Sequence, residues 1–214
     1  ELRARGVDFD EPSWDAAVDW SDYEAALIRT TWDYMPRRDD FVAWAHSLEG
    51  KTRLFNPAEL IRWNTHKSYL RALADEGVAL APTLWVDPSE PLDLATALKG
   101  RDWSRGFIKP VVGACAVGTL RFSVDDPGIA SAQAHVDALL AAGEGVMIQP
   151  YLSKVETKGE LSAVFFDGRL SHALQKIPLP GDYRVQDDHG ASDHPVDLDN
   201  TQRAFFEHVV EAAH

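Results

Sequence analysis

A lysine set inside an apolar strand constrains this chain more than any other feature. Residues 107–112 read Phe-Ile-Lys-Pro-Val-Val, with Lys109 third in the run. Burying an unpartnered ammonium costs on the order of several kcal/mol. The fold must therefore let the lysine snorkel to water along its stem or bring an anion to it. The residues that follow favour the anion. Gly113 and Gly118 bracket the loop Gly-Ala-Cys-Ala-Val-Gly, whose glycines free it to lie over a ligand such as phosphate. A second apolar strand, Val146-Met147-Ile148, then runs into Gln149-Pro150-Tyr151-Leu152. Pro150 has no N–H and ends ladder pairing, which predicts a hinge with the Gln149 carbonyl and the Leu152 N–H left free.

Composition narrows the ligand further. With 214 residues, 45% of them apolar, the chain can bury one large core or two small ones. Its 21 Lys and Arg against 34 Asp and Glu give a net charge of -13. That charge repels a nucleic-acid backbone and an anionic membrane surface alike, so neither is an expected partner and an anionic ligand needs a local basic site. No apolar run reaches the roughly 18 residues of a membrane span, and no signal segment precedes the first strand. The single Cys115 forms no internal disulfide. These features read as a cytoplasmic protein, with self-association into a homo-oligomer left open.

Short apolar strands alternate with helical patterns, as in an α/β protein. Strands are expected at Val7–Phe9, Ala25–Arg29, Ala79–Val86, Val146–Ile148, Ala163–Phe166 and Leu170–Leu174, the last two joined by an Asp167-Gly168 hairpin turn. Pro82 marks its strand as an edge or a bend. Helices are expected from Phe41 to Leu48, from His66 to Glu76 with Thr65 or Asn64 as its cap, from Asp93 to Leu98 and from Gln133 to Leu140. Both ends read as cut: Glu1–Gly6 is the last turn of a helix with Gly6 as its cap, and a C-terminal helix carrying Phe205, Phe206, Val209 and Val210 stops at His214. Lys67, in Asn-Thr-His-Lys-Ser-Tyr, would sit in the first turn of its helix, where the macrodipole disfavours a cation by a few tenths of a kcal/mol, roughly, unless an anion is held there.

These segments resemble the ATP-grasp superfamily, in particular the glutathione-synthetase-like branch of ATP-dependent carboxylate–amine ligases. Arg29-Thr30-Thr31-Trp32-Asp33-Tyr34 and Gly181-Asp182-Tyr183-Arg184-Val185-Gln186 also resemble one sub-branch, the O-ureido-serine cyclo-ligases of cycloserine biosynthesis. The resemblance implies an ATP-grasp fold of α+β lobes with the nucleotide between two of them: an incomplete N-terminal α/β lobe over 1–63, a small central lobe over 64–145 and an incomplete C-terminal lobe over 146–214. It implies ATP and Mg²⁺, with Lys67 and Lys109 on the phosphates and Gly113 to Gly118 above them. Adenine would lie against Gln149, Tyr151 and Leu152, and the ribose hydroxyls on Glu156 or Glu160, of which the Gly159-Glu160-Leu161-Ser162 step favours the second. The metal ligands of relatives correspond to sequence beyond His214.

The same resemblance gives the loop Gln175–Ser192 its chemistry. Too rich in proline and glycine for regular structure, it holds Lys176 and Arg184 as its only lysine and arginine. Arg184 with Gln186 two residues on resembles the pair that in relatives meets the carboxylate or its acyl phosphate. An amide bond needs a carboxylate with a better leaving group, so the γ-phosphoryl is transferred to it and cations offset the charge before a nitrogen attacks. His189-Gly190-Ala191 departs from the glycine-rich backbone of relatives. The other reading is a nucleotide-binding regulatory module without catalysis. Residues Asp187, Asp188, His189, Asp193 and His194 lack the fixed spacing of a metal site, Cys115 has no identifiable base, and Arg29 is expected to pair with Asp33 rather than touch substrate.

Overall fold

The computed structural model describes residues 1–125 and 127–213; His214, where the expected C-terminal helix stops, lies outside them. The chain divides into two units, Glu1–Lys67 and Ser68–His214.

In the first unit, β1 (Ala25–Leu27) and β2 (Arg53–Phe55) pair in parallel, and α1 (Arg38–Ser47) crosses between them. Asp39 and Asp40 occupy the first turn of α1, where the helix dipole favours carboxylates. Its buried residues Phe41 and Ala45 pack with Trp14, Ala58 and Ile61. Trp14 meets the Phe41 ring edge-on at 5.4 Å, and Trp44 stacks on Phe41 at 5.4 Å. Val7–Phe9, expected as a strand, forms none. Arg37 rather than Arg29 pairs with Asp33, at 2.9 Å, and it reaches Asp15 at the same distance.

The expected helix from His66 to Glu76 is shorter, covering Tyr69–Asp75, and a separate helix precedes it. α2 (Ala58–Asn64) ends where the Thr65 hydroxyl donates to the Ile61 carbonyl at 2.8 Å and accepts from Arg38 Nε at 3.1 Å. That hydroxyl closes α2 and cannot cap a following helix. The chain turns through residues 65–68 before α3 (Tyr69–Asp75), so Lys67 lies in a turn and not in a first helical turn, and the dipole argument for it fails.

The second unit holds an antiparallel four-stranded sheet in the order β3 (Leu84–Val86), β6 (Val146–Pro150), β4 (Arg105–Pro110), β5 (Leu120–Ser123). β3 is an edge, as Pro82 implied, but covers three residues of the eight expected. α4 (Leu94–Leu98) and α5 (Gly128–Ala141) supply Leu94, Leu98, Ala132 and Val136 to a core with Val86, Ile108, Phe122, Val146 and Ile148. Gln133 ties the helices down: its Oε1 accepts from Leu94 N–H at 2.7 Å and its Nε2 donates to the Leu92 carbonyl at 2.8 Å. Along β4, Gly106, Ile108 and Pro110 are buried while Arg105, Phe107 and Lys109 are half-exposed, the period of a strand with two unlike faces. A Cβ at Gly106 would collide with the Phe122 ring that faces it, so only glycine lets that ring lie flat on the strand.

A three-stranded antiparallel sheet follows: β7 (Glu160–Phe166), β8 (Arg169–Ile177) and β9 (Ser192–Pro195). Asp167 and Gly168, with φ of 51° and 70°, make the tight hairpin turn. α6 (Lys154–Lys158) precedes β7, and α7 (Asn200–Ala212) begins with a capping box between Asp199 and Gln202. The loop expected over Gln175–Ser192 is shorter than that: Gln175–Ile177 belong to β8, Asp187–His189 form a 3₁₀ turn and Ser192 opens β9. Among the described residues no helix is long and apolar enough to cross a membrane.

Candidate active site

The half-exposed face of the four-stranded sheet gathers most of the expected residues. Lys109 stands on it, its Nζ 5.4 Å from the centre of the Phe107 ring. Burial pushes the Lys109 pKa down, and the Glu160 carboxylate opposes that shift without cancelling it. Glu160 opens β7, exposed, with Lys176 of β8 opposite it in the ladder. Gly159 before it has φ 66°, and a Cβ there would strike the Lys176 carbonyl, so this glycine is what lets β7 start against β8. Lys109, Glu160 and Lys176 are thus neighbours in space. Lys67 is the last residue of the first unit; the other candidates all lie in the second.

The hinge differs from the expectation in which carbonyl it frees. Tyr151 N–H donates to Arg105 at 2.9 Å and Val111 N–H to Gly145 at 2.8 Å, which fixes the odd-numbered residues of β6 as those bonded to β4. Gln149 therefore spends its carbonyl on Phe107 N–H. Pro150 instead presents its backbone toward the β3 side, and continuing the Leu84–Ile148 register by two residues puts Pro82 opposite it. Neither proline has an N–H, so the Pro150 carbonyl has no ladder donor. Leu152 N–H, as expected, has no partner among the described residues. The buried Gln149 side chain donates to Thr83 Oγ1 at 2.8 Å.

Glu156 is occupied. Its Oε1 accepts from Tyr151 OH at 2.6 Å, Arg121 Nη1 at 2.7 Å and Arg105 Nη2 at 3.2 Å. The Tyr151 hydroxyl first, then the arginines, hold its carboxyl below the ordinary range. Burial, with Glu156 as acceptor, pushes Tyr151 up. The Arg105 guanidinium lies 4.3 Å from the Tyr151 ring centre and that of Arg121 5.3 Å. Glu156 thus anchors the hinge, leaving Glu160 as the unclaimed acid of the pair.

The Gly113–Gly118 loop contains Cys115 and Ala116 at φ 51° and 59°, then Gly118 at 68°, whose carbonyl meets His135 Nε2 at 2.8 Å. Three left-handed residues in four make a tight bend with exposed Val117 at its tip.

Arg184 is clamped by Asp182. Nε donates to both carboxylate oxygens at 3.1 Å and Nη2 to Oδ2 at 2.7 Å, while the backbone N–H groups of Tyr183 and Arg184 reach Oδ1 at 2.7 and 3.0 Å. The Arg184 side chain first, then these N–H groups, hold the Asp182 carboxyl well below its ordinary range. Among the described residues Nη1 has no partner, so one edge of the guanidinium is fixed and the other is available. Gln186 Oε1 is buried without a hydrogen-bond donor among the described residues, an acceptor whose desolvation is uncompensated. Arg105, Arg121 and Thr119 carry no signal in the sequence, and Asp182 and Tyr183 stand out there only as part of the Gly181–Gln186 segment. Asp182, two residues ahead of Arg184, carried the spacing of a side chain turning back onto its own backbone. Among the described residues no cluster of three His, Cys, Asp or Glu side chains could hold a metal.

The chain is similar to several known proteins. Residues 1–56 match the family described as D-cycloserine synthetase DcsG, N-terminal domain. The chain is 37% identical over 180 residues to the cycloserine biosynthesis protein DcsG of Streptomyces lavendulae, across 81% of this chain and 59% of that protein. It therefore spans about three fifths of the length of that relative. It superposes on the crystal structure of D-cycloserine synthetase DcsG with a TM-score of 0.86 at 31% identity, over 99% of this chain and 72% of the other. A D-alanine–D-alanine ligase from Bacillus anthracis, complexed with ATP, superposes with a TM-score of 0.64 at 15% identity, over 90% of this chain and 60% of that one. Identity that low carries the fold alone, and the fold is the α+β ATP-grasp fold expected from the sequence.

Proposed function

We propose, from the premise that this chain belongs to the D-cycloserine synthetase DcsG family, that it is the nucleotide-binding and activating part of a cytoplasmic ATP-dependent ligase. The observation that carries this reading is Lys109: an ammonium half-buried on an open sheet face, its pKa lowered by burial and only partly restored by Glu160. An anion on that face supplies the missing charge. ATP fits the remaining parts. Adenine presents a donor and an acceptor edge, which the Pro150 carbonyl and Leu152 N–H would meet beside Gln149 and Tyr151. Glu160 would take the ribose hydroxyls and Lys109 the phosphates, and Gly113–Gly118 would cover them. The nucleotide then lies between a central lobe (64–145) and the start of a C-terminal lobe (146–214), with 1–63 as part of an N-terminal lobe.

On this reading Lys176, Arg184 and Gln186 serve the second substrate, a small amino-acid-like carboxylate. The free edge of Arg184 would hold the carboxylate while the γ-phosphoryl is transferred to it, and Lys176 would offset the charge that accumulates. A nitrogen nucleophile then displaces phosphate. In the cyclo-ligase form of this reading that nitrogen would belong to the same molecule, as in O-ureido-D-serine. Mg²⁺ would neutralise the phosphates when bound, through ligands other than a cluster among the described residues.

The test is release of ADP and phosphate by the full-length protein with O-ureido-D-serine and related carboxylates. Carboxylate-dependent release is expected, and Arg184→Ala should lower turnover on the order of a hundredfold with ATP affinity nearly intact, since the charge it meets develops after nucleotide binds. ATP binding without turnover on any carboxylate would overturn the ligase reading in favour of a regulatory module.

A further inference from the structure

We propose that Tyr183 is a positioning residue that couples the Gly113–Gly118 loop to Arg184, so that closure over the nucleotide sets the guanidinium for chemistry. The inference rests on the nucleotide site proposed above and deepens it. Tyr183 crosses from the arginine loop to the sheet face. Its ring meets Phe107 edge-on at 5.1 Å and Tyr151 at 6.3 Å, with the Arg121 guanidinium 5.4 Å from its centre. Its hydroxyl lies 3.1 Å from Thr119 Oγ1. The Thr119 hydroxyl donates to the Ala116 carbonyl at 2.8 Å. A hydroxyl has one proton to give, so Thr119 accepts and Tyr183 donates. The chain of bonds runs from Tyr183 O–H to Thr119 Oγ1 to the Ala116 carbonyl, at the centre of the glycine loop.

Both ends of this chain matter. Ala116 and Cys115 are non-glycine residues in left-handed backbone, a conformation that persists only where the surroundings impose it. The Ala116 carbonyl is held twice by Thr119, through its hydroxyl and through its N–H at 3.2 Å. At the other end, the carboxylate that grips Arg184 also accepts the Tyr183 N–H at 2.7 Å. A shift of the Tyr183 backbone therefore carries Asp182 and Arg184 with it. The loop that would close on phosphate and the arginine that would meet the carboxylate share one tyrosine.

Hydrogen exchange on the full-length protein, with and without ATP and Mg²⁺, tests this. In wild type, nucleotide should protect residues 113–118 and 182–186 together. In Tyr183→Phe, which keeps the ring packing and removes the donor, protection of 113–118 should remain while the gain at 182–186 is lost. Turnover should fall between about twofold and tenfold, the range of one neutral hydrogen bond, with the Kd for ATP unchanged. Thr119→Val should match Tyr183→Phe, and Thr119→Ser, which keeps the hydroxyl, should match wild type. Equal protection of 182–186 in wild type and Tyr183→Phe, or a Thr119→Ser variant as impaired as Thr119→Val, would overturn the coupling while leaving the nucleotide site standing. Protection of neither segment in wild type would remove that site, and the coupling with it.

Discussion

The two faces of the β3-β6-β4-β5 sheet are built from the same strands by opposite rules. One face carries Gly106, Ile108, Pro110, Val146 and Ile148 against α5, closed and apolar. The other carries Arg105, Phe107, Lys109, Arg121 and Gln149, the alternate residues of the same strands, with charged, aromatic or polar partners. The first face stabilises the protein by leaving water. The second retains charge at a cost to the free protein, and that cost becomes useful once something anionic arrives. A strand has period two, so a single segment, Arg105–Pro110, serves both ends.

Three substitutions separate these rules. The largest expected effect lies on the closed face: Ile108 is fully buried, and Ile108→Ala should lower unfolding stability by about 2–5 kcal/mol through lost transfer energy and a cavity. Denaturant titration checks this, and the Kd for ATP of the folded fraction should not move. On the open face the signs reverse. Lys109→Met should raise the melting temperature of the nucleotide-free protein, because it removes a desolvated ammonium, yet weaken ATP binding at least about tenfold by deleting a charge-assisted phosphate contact. Loss of stability without loss of affinity would place Lys109 among the structural residues instead.

The smallest effect is at the hinge anchor. Glu156 is held below its ordinary value, near 4.5, so its bonds to Tyr151, Arg121 and Arg105 stabilise the ionised folded state. A depressed carboxylate contributes fully above its unfolded pKa and loses that contribution as pH falls through the folded one. The melting-temperature gap between wild type and Glu156→Gln should therefore be full near neutrality, shrink below about pH 4.5 and vanish in stronger acid. A gap independent of pH would show that the ionisation of Glu156 contributes nothing to folding.

What the sequence made legible follows the same division. Lys109 was conspicuous because its apolar neighbours made it an exception, and the Asp167-Gly168 hairpin because its dipeptide demands positive φ. The hidden parts depended on partners distant in sequence. Glu156 and Glu160 look alike along the chain, and only Arg105 and Arg121, brought up on neighbouring strands, claim the first. Thr65 reads as the start of one helix until Arg38 turns its hydroxyl into the end of another. The free hinge carbonyl was placed one residue early because Pro150 reveals where a ladder stops but not which parity of residues it had been bonding; that takes the register with Arg105 and Gly145.

The facing prolines at 82 and 150 have a further consequence. Because neither can ever supply a donor, the sheet cannot zip onward at this point in any fluctuation of the chain, and its hydrogen-bonding edge is kept open permanently rather than on demand. On the nucleotide reading proposed above, a flat heterocycle arriving there would meet an edge that needs no local melting, and its association should show no slow opening step.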